Sequence, residues 1–507
     1  MEAARTSRRL PLFMRTMTNR HIATLAALAA SLCASAASRI ELSENETWRY
    51  AVVASKAVAD DPAWRAVADS LAAKYSRPPF ESTLVVASPL YSADALRKAS
   101  PRFVAFVVKP YEANAETVRA LHSIMKSLDD DPFTDAVWGI VTGPDASAAL
   151  RVASAAPVHP RTLLSTTGVD VAPFDAATTL SDGYASGCDR DEYRRPDPPV
   201  AVIEKRPDAP RAERIVRGDT TGEFSAAWNA IDPELVVTSS HASQRNLEMP
   251  FSTGNIVVRG GALWALPNRR LIDYSTGQAD AAAATASATA PLAAPQRDTI
   301  WIAAGNCLIG DYADNETMAA AMLGFGRVVQ FMGYVKTTWF GEIGWETLAQ
   351  FMQRRATVGE AWYFAGQNLE RKLASMKQDT SDQNWCGRVW DRDGTVLWGD
   401  PALDAAMDGA RARQSARLSA VRTRSGIKLT LEALEAIPAA EDRIEDVHVV
   451  HPFGMILPRA EGGRYEVVSG GAGLGLFAAD DFVLVTSWPA MKKGRKIEAT
   501  IAAPGAR

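Results

Sequence analysis

A regular alternation of strand-like and helix-like segments, from Trp48 to about residue 153, constrains the fold more than any other feature of this chain. Short β-branched and apolar stretches such as Phe103–Val108 are typical of buried strands. Between them lie segments such as Ala115–Leu128, whose apolar residues recur at helical spacing. Strands that alternate with helices form a parallel sheet covered by helices on both faces. The sequence therefore predicts an α/β domain.

The composition is that of an ordinary globular protein. The chain has 507 residues, of which 47% are hydrophobic and 22% are charged, so it can build several domains with substantial cores. Its formal net charge is −4, and we therefore expect no nucleic-acid partner.

The N-terminus has the features of a targeting segment. Several arginines between Arg5 and Arg20 precede an apolar run from Ile22 to Ala37, and Ala34–Ala36 fits a small-residue cleavage site. The run is shorter than the roughly 20 residues that a membrane span needs. We predict a signal peptide over residues 1–37 and a secreted, periplasmic or cell-surface protein. An uncleaved membrane anchor is the alternative, and it is the only membrane contact that we expect.

Composition divides the rest of the chain. Pro173–Pro210 is rich in Pro, Asp and Arg, and it predicts a surface excursion. Gln278–Pro295 is almost entirely Ala, Thr and Ser, which is typical of an exposed, mobile insert. Beyond Arg417, short strands separated by Gly and Pro predict a small all-β domain. The predicted units are an N-terminal α/β subdomain (38–172), a second α/β subdomain (173–410, with the insert at 278–295) and a C-terminal β-rich domain (411–507).

Two of the predicted strands end on a reactive side chain. Glu234–His241 reads Glu-Leu-Val-Val-Thr-Ser-Ser-His, and Thr299–Cys307 reads Thr-Ile-Trp-Ile-Ala-Ala-Gly-Asn-Cys. Ligands bind outside the carboxyl ends of parallel strands in open α/β sheets, so neighbouring strands would bring His241 and Cys307 to one edge. A thiol beside an imidazole is the minimal set for nucleophilic acyl transfer. The backbone amides of Ala242 and Cys307 are the candidate oxyanion donors.

Loss of the signal peptide leaves Cys188, Cys307 and Cys386, an odd number that requires at least one free thiol. Two arrangements remain open: a Cys188–Cys386 disulfide with Cys307 free, or three free thiols. A His241 imidazolium would lower the pKa of Cys307, so we expect Cys307 to be the most reactive thiol.

These blocks resemble a known family. The strand that ends on His241 and the strand that ends on Cys307, in that order, resemble the caspase-like clan of cysteine peptidases, and most closely its gingipain-type family. Further segments resemble the helix before the histidine strand, the helix and strand after the nucleophile, and the signature that closes the catalytic domain: Phe224–Asn229, Glu316–Met322, Gly324–Gly333 and Trp398–Pro401. The resemblance covers about Tyr50–Leu403. The family's Gly-His-Gly is Ser240-His241-Ala242 here, and no third catalytic residue is assigned.

The resemblance implies a caspase/gingipain-like parallel-sheet domain in two α/β subdomains, followed by the all-β domain. It implies a cysteine endopeptidase with Cys307 as nucleophile, His241 as general base and acid, and a protein or peptide substrate. A catalytically inactive relative that acts in binding or cell-surface assembly is the alternative, and the loss of both glycines around His241 favours it. An unrelated α/β hydrolase is disfavoured because the chain has no Gly-x-Ser-x-Gly motif.

We expect no cofactor and no catalytic metal. Asp311, Asp314 and Glu316 follow Cys307 closely and would suit either a structural calcium ion or an acidic specificity pocket. Capping of the following helix is the simpler role for them.

Overall fold

The computed structural model describes residues 38–44, 46–87, 93–182, 197–267, 272–273, 278–279, 290–444 and 450–505. The predicted signal peptide, Cys188 and residues 280–289 of the predicted insert lie outside these ranges. In the part of the chain that is described, no helix is both long and apolar enough to cross a membrane.

The first part of the chain forms four parallel strands with helices between them, as the alternation predicts. Its elements are β1 (Trp48–Ser55), α1 (Lys56–Ala59), α2 (Pro62–Lys74), β2 (Phe80–Ala87), α3 (Ala93–Ala99), β3 (Phe103–Val107), α4 (Ala115–Met125), β4 (Val137–Val141) and α5 (Ala146–Ala153). Helix α2 begins where Asp61 accepts a hydrogen bond from the Ala63 amide and Pro62 occupies the first turn. Strands β3 and β4 are buried along their whole length, because helices cover both faces of the sheet.

The second part continues the same sheet. Its elements before the Cys307 strand are β5 (Thr162–Ser165), β6 (Ala176–Ser181), β7 (Pro199–Arg206), β8 (Ala209–Arg217), α6 (Thr221–Ile231), β9 (Leu235–Thr238), β10 (Asn246–Glu248), β11 (Asn255–Arg259), β12 (Ala262–Leu266), β13 (Ile272–Asp273), β14 (Gln278–Ala279) and β15 (Ala290–Pro291). Those that follow are β16 (Thr299–Ala303), α7 (Met318–Leu323), β17 (Val328–Tyr334), α8 (Glu342–Arg354), α9 (Val358–Ser375), α10 (Gln383–Asp393) and β18 (Thr395–Gly399).

One sheet of 12 strands spans both parts, in the order β2-β1-β3-β4-β18-β17-β16-β9-β5-β6-β7-β8. It is mostly parallel, with antiparallel pairings at β17–β18, β6–β7 and β7–β8. The α/β prediction is therefore confirmed. Strand β5 lies beside β9, so residues 162–165 belong with the second part of the sheet although they precede the division predicted at residue 172.

Two predictions about the loops are wrong where the structure describes them. Within Pro173–Pro210, β6 is a buried strand and β7 pairs with it, so apolar burial outweighs the polar composition of the surrounding residues. At the end of the insert, β15 pairs with β12 and Leu292 is buried. The Trp228 indole donates to the Ala293 carbonyl at 2.8 Å, which fixes this end to α6.

Asp400 joins the two parts of the sheet. Its buried carboxylate accepts hydrogen bonds from Tyr50 at 2.8 Å and Tyr75 at 2.6 Å. It also forms an ion pair with Lys74 at 2.9 Å. All three partners belong to the first part of the chain. Through Asp400, the Trp398–Pro401 motif therefore links the two parts of the sheet.

The C-terminal residues form two small antiparallel sheets, so the predicted all-β unit is confirmed. Its strands are β19 (Ala416–Thr423), β20 (Gly426–Ala433), β21 (Phe453–Ile456), β22 (Glu466–Gly470), β23 (Gly475–Ala478), β24 (Phe482–Ser487) and β25 (Lys496–Ala502). They pair in the orders β19-β20-β25-β22 and β21-β24-β23. A buried ion pair between Arg102 and Asp481 joins this unit to the α/β domain. Gly454 lies against the Phe364 ring, so closely that a side chain there would clash.

His122 makes the stability of the α/β domain dependent on pH. It is buried between Trp138 and Trp362, and its Nε2 lies 2.7 Å from the Thr395 carbonyl. Burial lowers its pKa to about 4, so protonation between the unfolded pKa of about 6.5 and pH 4 favours the unfolded chain.

The variant His122→Gln keeps a hydrogen-bond donor for the Thr395 carbonyl and removes the titratable group. We expect the free energy of unfolding of the wild type, relative to this variant, to fall by about 3 kcal/mol from pH 7 to pH 4 in urea titrations. An unchanged difference would contradict the assignment.

Candidate active site

The strands that carry His241 and Cys307 are neighbours in the sheet. Strand β16 pairs with β9 in parallel, and Ala303 lies opposite Thr238, the last residue of β9. The Ala304 amide extends this pairing by donating to the Thr238 carbonyl at 2.7 Å. The predicted adjacency is confirmed, and the two segments that follow the strands leave the sheet at the same carboxyl edge.

Asn306 ties these two segments together. Its buried side chain accepts from the Thr238 hydroxyl at 2.6 Å and donates to the Ser240 carbonyl at 2.8 Å. His241 follows one of these residues directly, and Cys307 follows Asn306 itself. The amide group thus fixes the backbone immediately before each predicted catalytic residue. Sequence reasoning named Asn306 only as the neighbour of Cys307, and the spacing alone gives no sign of its bridging role.

A small hairpin fixes the backbone at His241. The His241 carbonyl accepts from the Glu248 amide at 3.0 Å, and the Ser240 hydroxyl donates to the Glu248 carbonyl at 2.7 Å. Ala242 pairs with Leu247 across this hairpin and is buried, whereas the His241 residue is exposed. The hairpin thus presents the imidazole at the surface of the site while it holds the peptide unit in place.

The predicted oxyanion donors are the amides of Ala242 and Cys307, which belong to the two segments that Asn306 joins. Among the described residues, neither the Ala242 amide nor the Cys307 amide donates to a backbone carbonyl. The Ala242–Leu247 bridge uses the carbonyl of His241 and the amide of Ser243, and so leaves the Ala242 amide out of the ladder. The Cys307 amide contacts its own sulfur, and the oxyanion role of the two amides stays a prediction.

The Cys307 side chain is half-buried, and its surroundings favour the protonated thiol over the thiolate. Its Sγ lies 3.9 Å from the Thr338 carbonyl, an acceptor for S–H. Burial raises the pKa of Cys307, and the Asp391 carboxylate raises it further. The expectation of a lowered pKa is therefore wrong for this state of the protein, because desolvation and a nearby negative charge both disfavour the thiolate.

Asp391 organises the loop beside the thiol. It is fully buried on α10 and accepts hydrogen bonds from the Thr338 hydroxyl at 2.7 Å and the Trp339 amide at 2.8 Å. Its second oxygen accepts from the amides of Phe340 at 3.0 Å and Glu342 at 3.2 Å. Sequence reasoning missed this residue. The available signal was an aspartate on the buried face of an amphipathic segment.

This arrangement adds to the effect of burial, which is the main cause of the raised pKa of the Cys307 thiol. The partial positive charge at a helix N-terminus stabilises a nearby thiolate in many reactive cysteines. Helix α8 begins at Glu342, but its first amide and the amides of Trp339 and Phe340 just before it already donate to Asp391. The Asp391 carboxylate thus occupies the amides at the start of α8 that could stabilise a thiolate. It also adds its own negative charge near Cys307.

The acidic residues after Cys307 are held by the His241 loop. Asp311 accepts from the Gln244 amide group at 2.5 Å, and Asp314 pairs with Arg245 at 2.6 Å. Asp314 also accepts from the Glu316 amide at 2.8 Å, as a turn-capping residue does. These contacts fasten the two strand-end segments to each other a second time. The described acidic groups close enough to share an ion are elsewhere, at Asp129, Asp131 and Asp480.

Of the other two predicted cysteines, Cys386 is described and is a free thiol. Its Sγ donates to the Thr380 carbonyl at 3.3 Å. The proposed Cys188–Cys386 bridge falls on Cys188, which lies outside the described residues.

Comparison with known proteins adds little to this geometry. No protein-family model matches the chain, and no curated protein matches it. A solved chain titled "Structure of Protease" aligns over 90% of this chain and 94% of its own length, with 9% identity and a TM-score of 0.39. Similarity at that level carries no argument about fold or activity.

Proposed function

We propose that this protein is an exported cysteine endopeptidase that uses Cys307 and His241. The observation that carries the proposal is the Asn306 bridge between two parallel neighbouring strands. The bridge joins Asn306 to Ser240, and the next residues in the chain are Cys307 and His241. Both therefore lie at the edge of the sheet where α/β proteins bind ligands. Export rests on the N-terminal segment of basic and apolar residues.

In the proposed reaction, the Cys307 sulfur attacks the carbonyl carbon of the scissile peptide bond as its proton passes to His241. The amides of Ala242 and Cys307 donate to the developing oxyanion, each contributing about 3 kcal/mol if aligned. The C–N bond then breaks, His241 gives its proton to the leaving amine, and a thioester remains. Water, deprotonated by His241, hydrolyses the thioester and restores the thiol.

The raised pKa of Cys307 gives this scheme a definite resting state. The enzyme waits as a neutral thiol, and transfer of its proton to His241 accompanies attack on the substrate. The Thr338 carbonyl contacts the thiol, and the next residue, Trp339, is 45% exposed and meets Trp390, which is 47% exposed, edge to face at 6.4 Å. Exposed aromatic surface of this kind favours substrates with an apolar side chain near the cleaved bond.

A second candidate function has its own support. A thiol held neutral by burial and by Asp391, with serine and alanine around the histidine, fits a relative that keeps the fold but binds partners without cleaving them. Such a protein would use the same edge of the sheet as a binding or cell-surface assembly site. The two candidates differ in whether Cys307 forms a covalent acyl intermediate.

An active-site probe separates them. A peptidyl acyloxymethyl ketone with an apolar side chain at its P1 position requires an assembled thiol, imidazole and oxyanion site to react quickly. We expect one label per wild-type chain, located at Cys307 by peptide mass spectrometry. Cys386→Ala is the matched control and should label normally, whereas Cys307→Ala should not label. Labelling of Cys307 that is no faster than that of Cys386 would instead support the non-catalytic function.

A further inference from the structure

The first residues after the predicted signal peptide are buried in the fold. Ser38 and Ile40 are each only 3% exposed. The Ile456 amide donates to the Ser38 carbonyl at 2.8 Å, and the Ile40 amide donates to the Ile456 carbonyl at 3.2 Å. Residues 38–40 therefore add a short parallel pairing to β21, the edge strand of one sheet of the C-terminal β unit.

Glu360 ties the same residues to the α/β domain. It lies in the first turn of α9 and is fully buried. Its carboxylate accepts from the Ser38 hydroxyl at 2.5 Å and forms an ion pair with Arg39. The Arg39 guanidinium also lies over the Phe103 ring of β3, 5.1 Å from the ring centre. Residues 38–40 thus join the β unit to both α9 and β3.

The Glu360 carboxylate depends on these N-terminal residues. Within its own helix turn it accepts from the Thr357 amide at 3.1 Å, which is the capping contact of α9. A fully buried carboxylate is costly unless donors and cations compensate it. The described compensation from outside the turn comes from Ser38 and Arg39.

The sequence allows cleavage directly before Ser38. Ser35 and Ala37, the third and first residues before that bond, are small, as a signal-peptide cleavage site requires. Water adds across the Ala37–Ser38 peptide bond and leaves a carboxylate on the leader and an α-ammonium group on Ser38. The nitrogen of a serine lies about 3–4 Å from its own Oγ, so this cation falls within roughly 6 Å of the Glu360 carboxylate.

We propose that the α-ammonium group of Ser38, created by removal of residues 1–37, pairs with Glu360 and locks the C-terminal β unit onto the α/β domain. Opposite charges at this separation stabilise each other strongly where water is excluded. In the uncleaved chain the same nitrogen is a neutral amide, so the lock forms only after processing. The inference rests on the proposed export for the cleavage step, and it does not depend on peptidase activity.

Two forms of the chain test the pairing. One begins at Ser38 and the other at Ala36, which moves the ammonium group two residues away from Glu360. Both are released from a fusion by a protease that leaves no added residue. Near neutral pH, we expect the form that begins at Ser38 to melt about 1–3 °C higher.

Two substitutions show whether Glu360 is the partner. In Glu360→Gln the difference between the two forms should vanish, because glutamine keeps the capping contact of α9 but removes the charge. Glu41→Gln is the matched control. Glu41 is an exposed carboxylate close to Ser38 in sequence, and its loss should leave the difference unchanged.

The pH dependence separates a charge effect from a steric one. A neighbouring carboxylate raises the pKa of an amine above its unfolded value of about 7.7. The stabilisation is therefore complete below that value and is lost as the pH rises through the folded pKa. The difference in melting temperature between the two forms should disappear by about pH 10. A difference that persists at that pH would contradict the ion pair.

N-terminal sequencing of the chain after export checks the cut, and Ser38 should be the first residue. Another first residue, equal melting of the two forms, or a difference that survives in Glu360→Gln would overturn the proposal. Retention of the leader would overturn the proposed export as well. Equal melting of the two forms would leave both the export and the peptidase proposals standing.

Discussion

Replacing Cys307 by alanine is expected to abolish peptide hydrolysis, with a fall in kcat/KM of at least about 10⁴-fold. The acyl intermediate needs the sulfur, and the remaining oxyanion donors and binding contacts supply only residual catalysis. His241→Ala should cause a loss of similar order, since the proposed reaction passes both the thiol proton and the leaving-group proton through this imidazole. Internally quenched peptides with an apolar residue before the cleaved bond provide the assay.

The double variant Cys307→Ala/His241→Ala decides whether the two residues act as a unit. Residues of one catalytic unit are strongly non-additive, so the double variant should be no slower than the Cys307→Ala variant. Cys386→Ala serves as the control for loss of a thiol and should keep full activity. If Cys307→Ala retains wild-type hydrolysis, the dyad is not the catalytic group, and binding without cleavage becomes the better account of this edge of the sheet.

Removing the Asp391 side chain is expected to have the largest effect on stability near the site. In Asp391→Ala, four donors from Thr338–Glu342 lose their acceptor inside the protein. Each buried donor left unsatisfied costs about 1–3 kcal/mol, and partial rehydration of the loop limits the total, so we expect a loss of about 3 kcal/mol or more. Urea unfolding measures it.

Asp382→Ala is the matched control for that experiment. Asp382 caps the start of the same helix, α10, and accepts from the Asn384 amide, but it is exposed and does not touch the 338–342 loop. Its loss should cost about 1 kcal/mol. Equal costs for the two variants would show that Asp391 acts only through helix stability.

Asp391→Asn separates charge from shape at the same position. The amide keeps one acceptor oxygen for the loop and removes the negative charge that raises the pKa of Cys307. The pKa of the thiol should therefore fall, and iodoacetamide should label Cys307 faster at neutral pH than in the wild type. Labelling across a pH series, read by peptide mass spectrometry, gives both values. An unchanged pKa would leave burial as its sole cause.

Local pattern was enough to predict much of this protein. Segments such as Phe103–Val108 and Ala115–Leu128 carry their periodicity within a few residues, so the α/β alternation and the all-β unit follow from the sequence. The pairing of β9 with β16 was also predictable, because two apolar runs each end on small residues and a reactive side chain. The choice of His241 and Cys307 as candidate site residues therefore came from the sequence alone, and their catalytic roles remain a proposal.

Other features exist only in the tertiary structure. Strand β6 joined the sheet against its polar surroundings, because pairing with β5 buries its backbone and apolar side chains. The pKa of Cys307 rises where the sequence predicted a fall, since burial and Asp391, from a helix distant in sequence, set the electrostatics of the thiol. The contact between Ser38 and Glu360 likewise joins residues far apart in sequence. Local sequence specifies strands and helices, whereas desolvation and charge proximity depend on which distant segments the packed fold brings together.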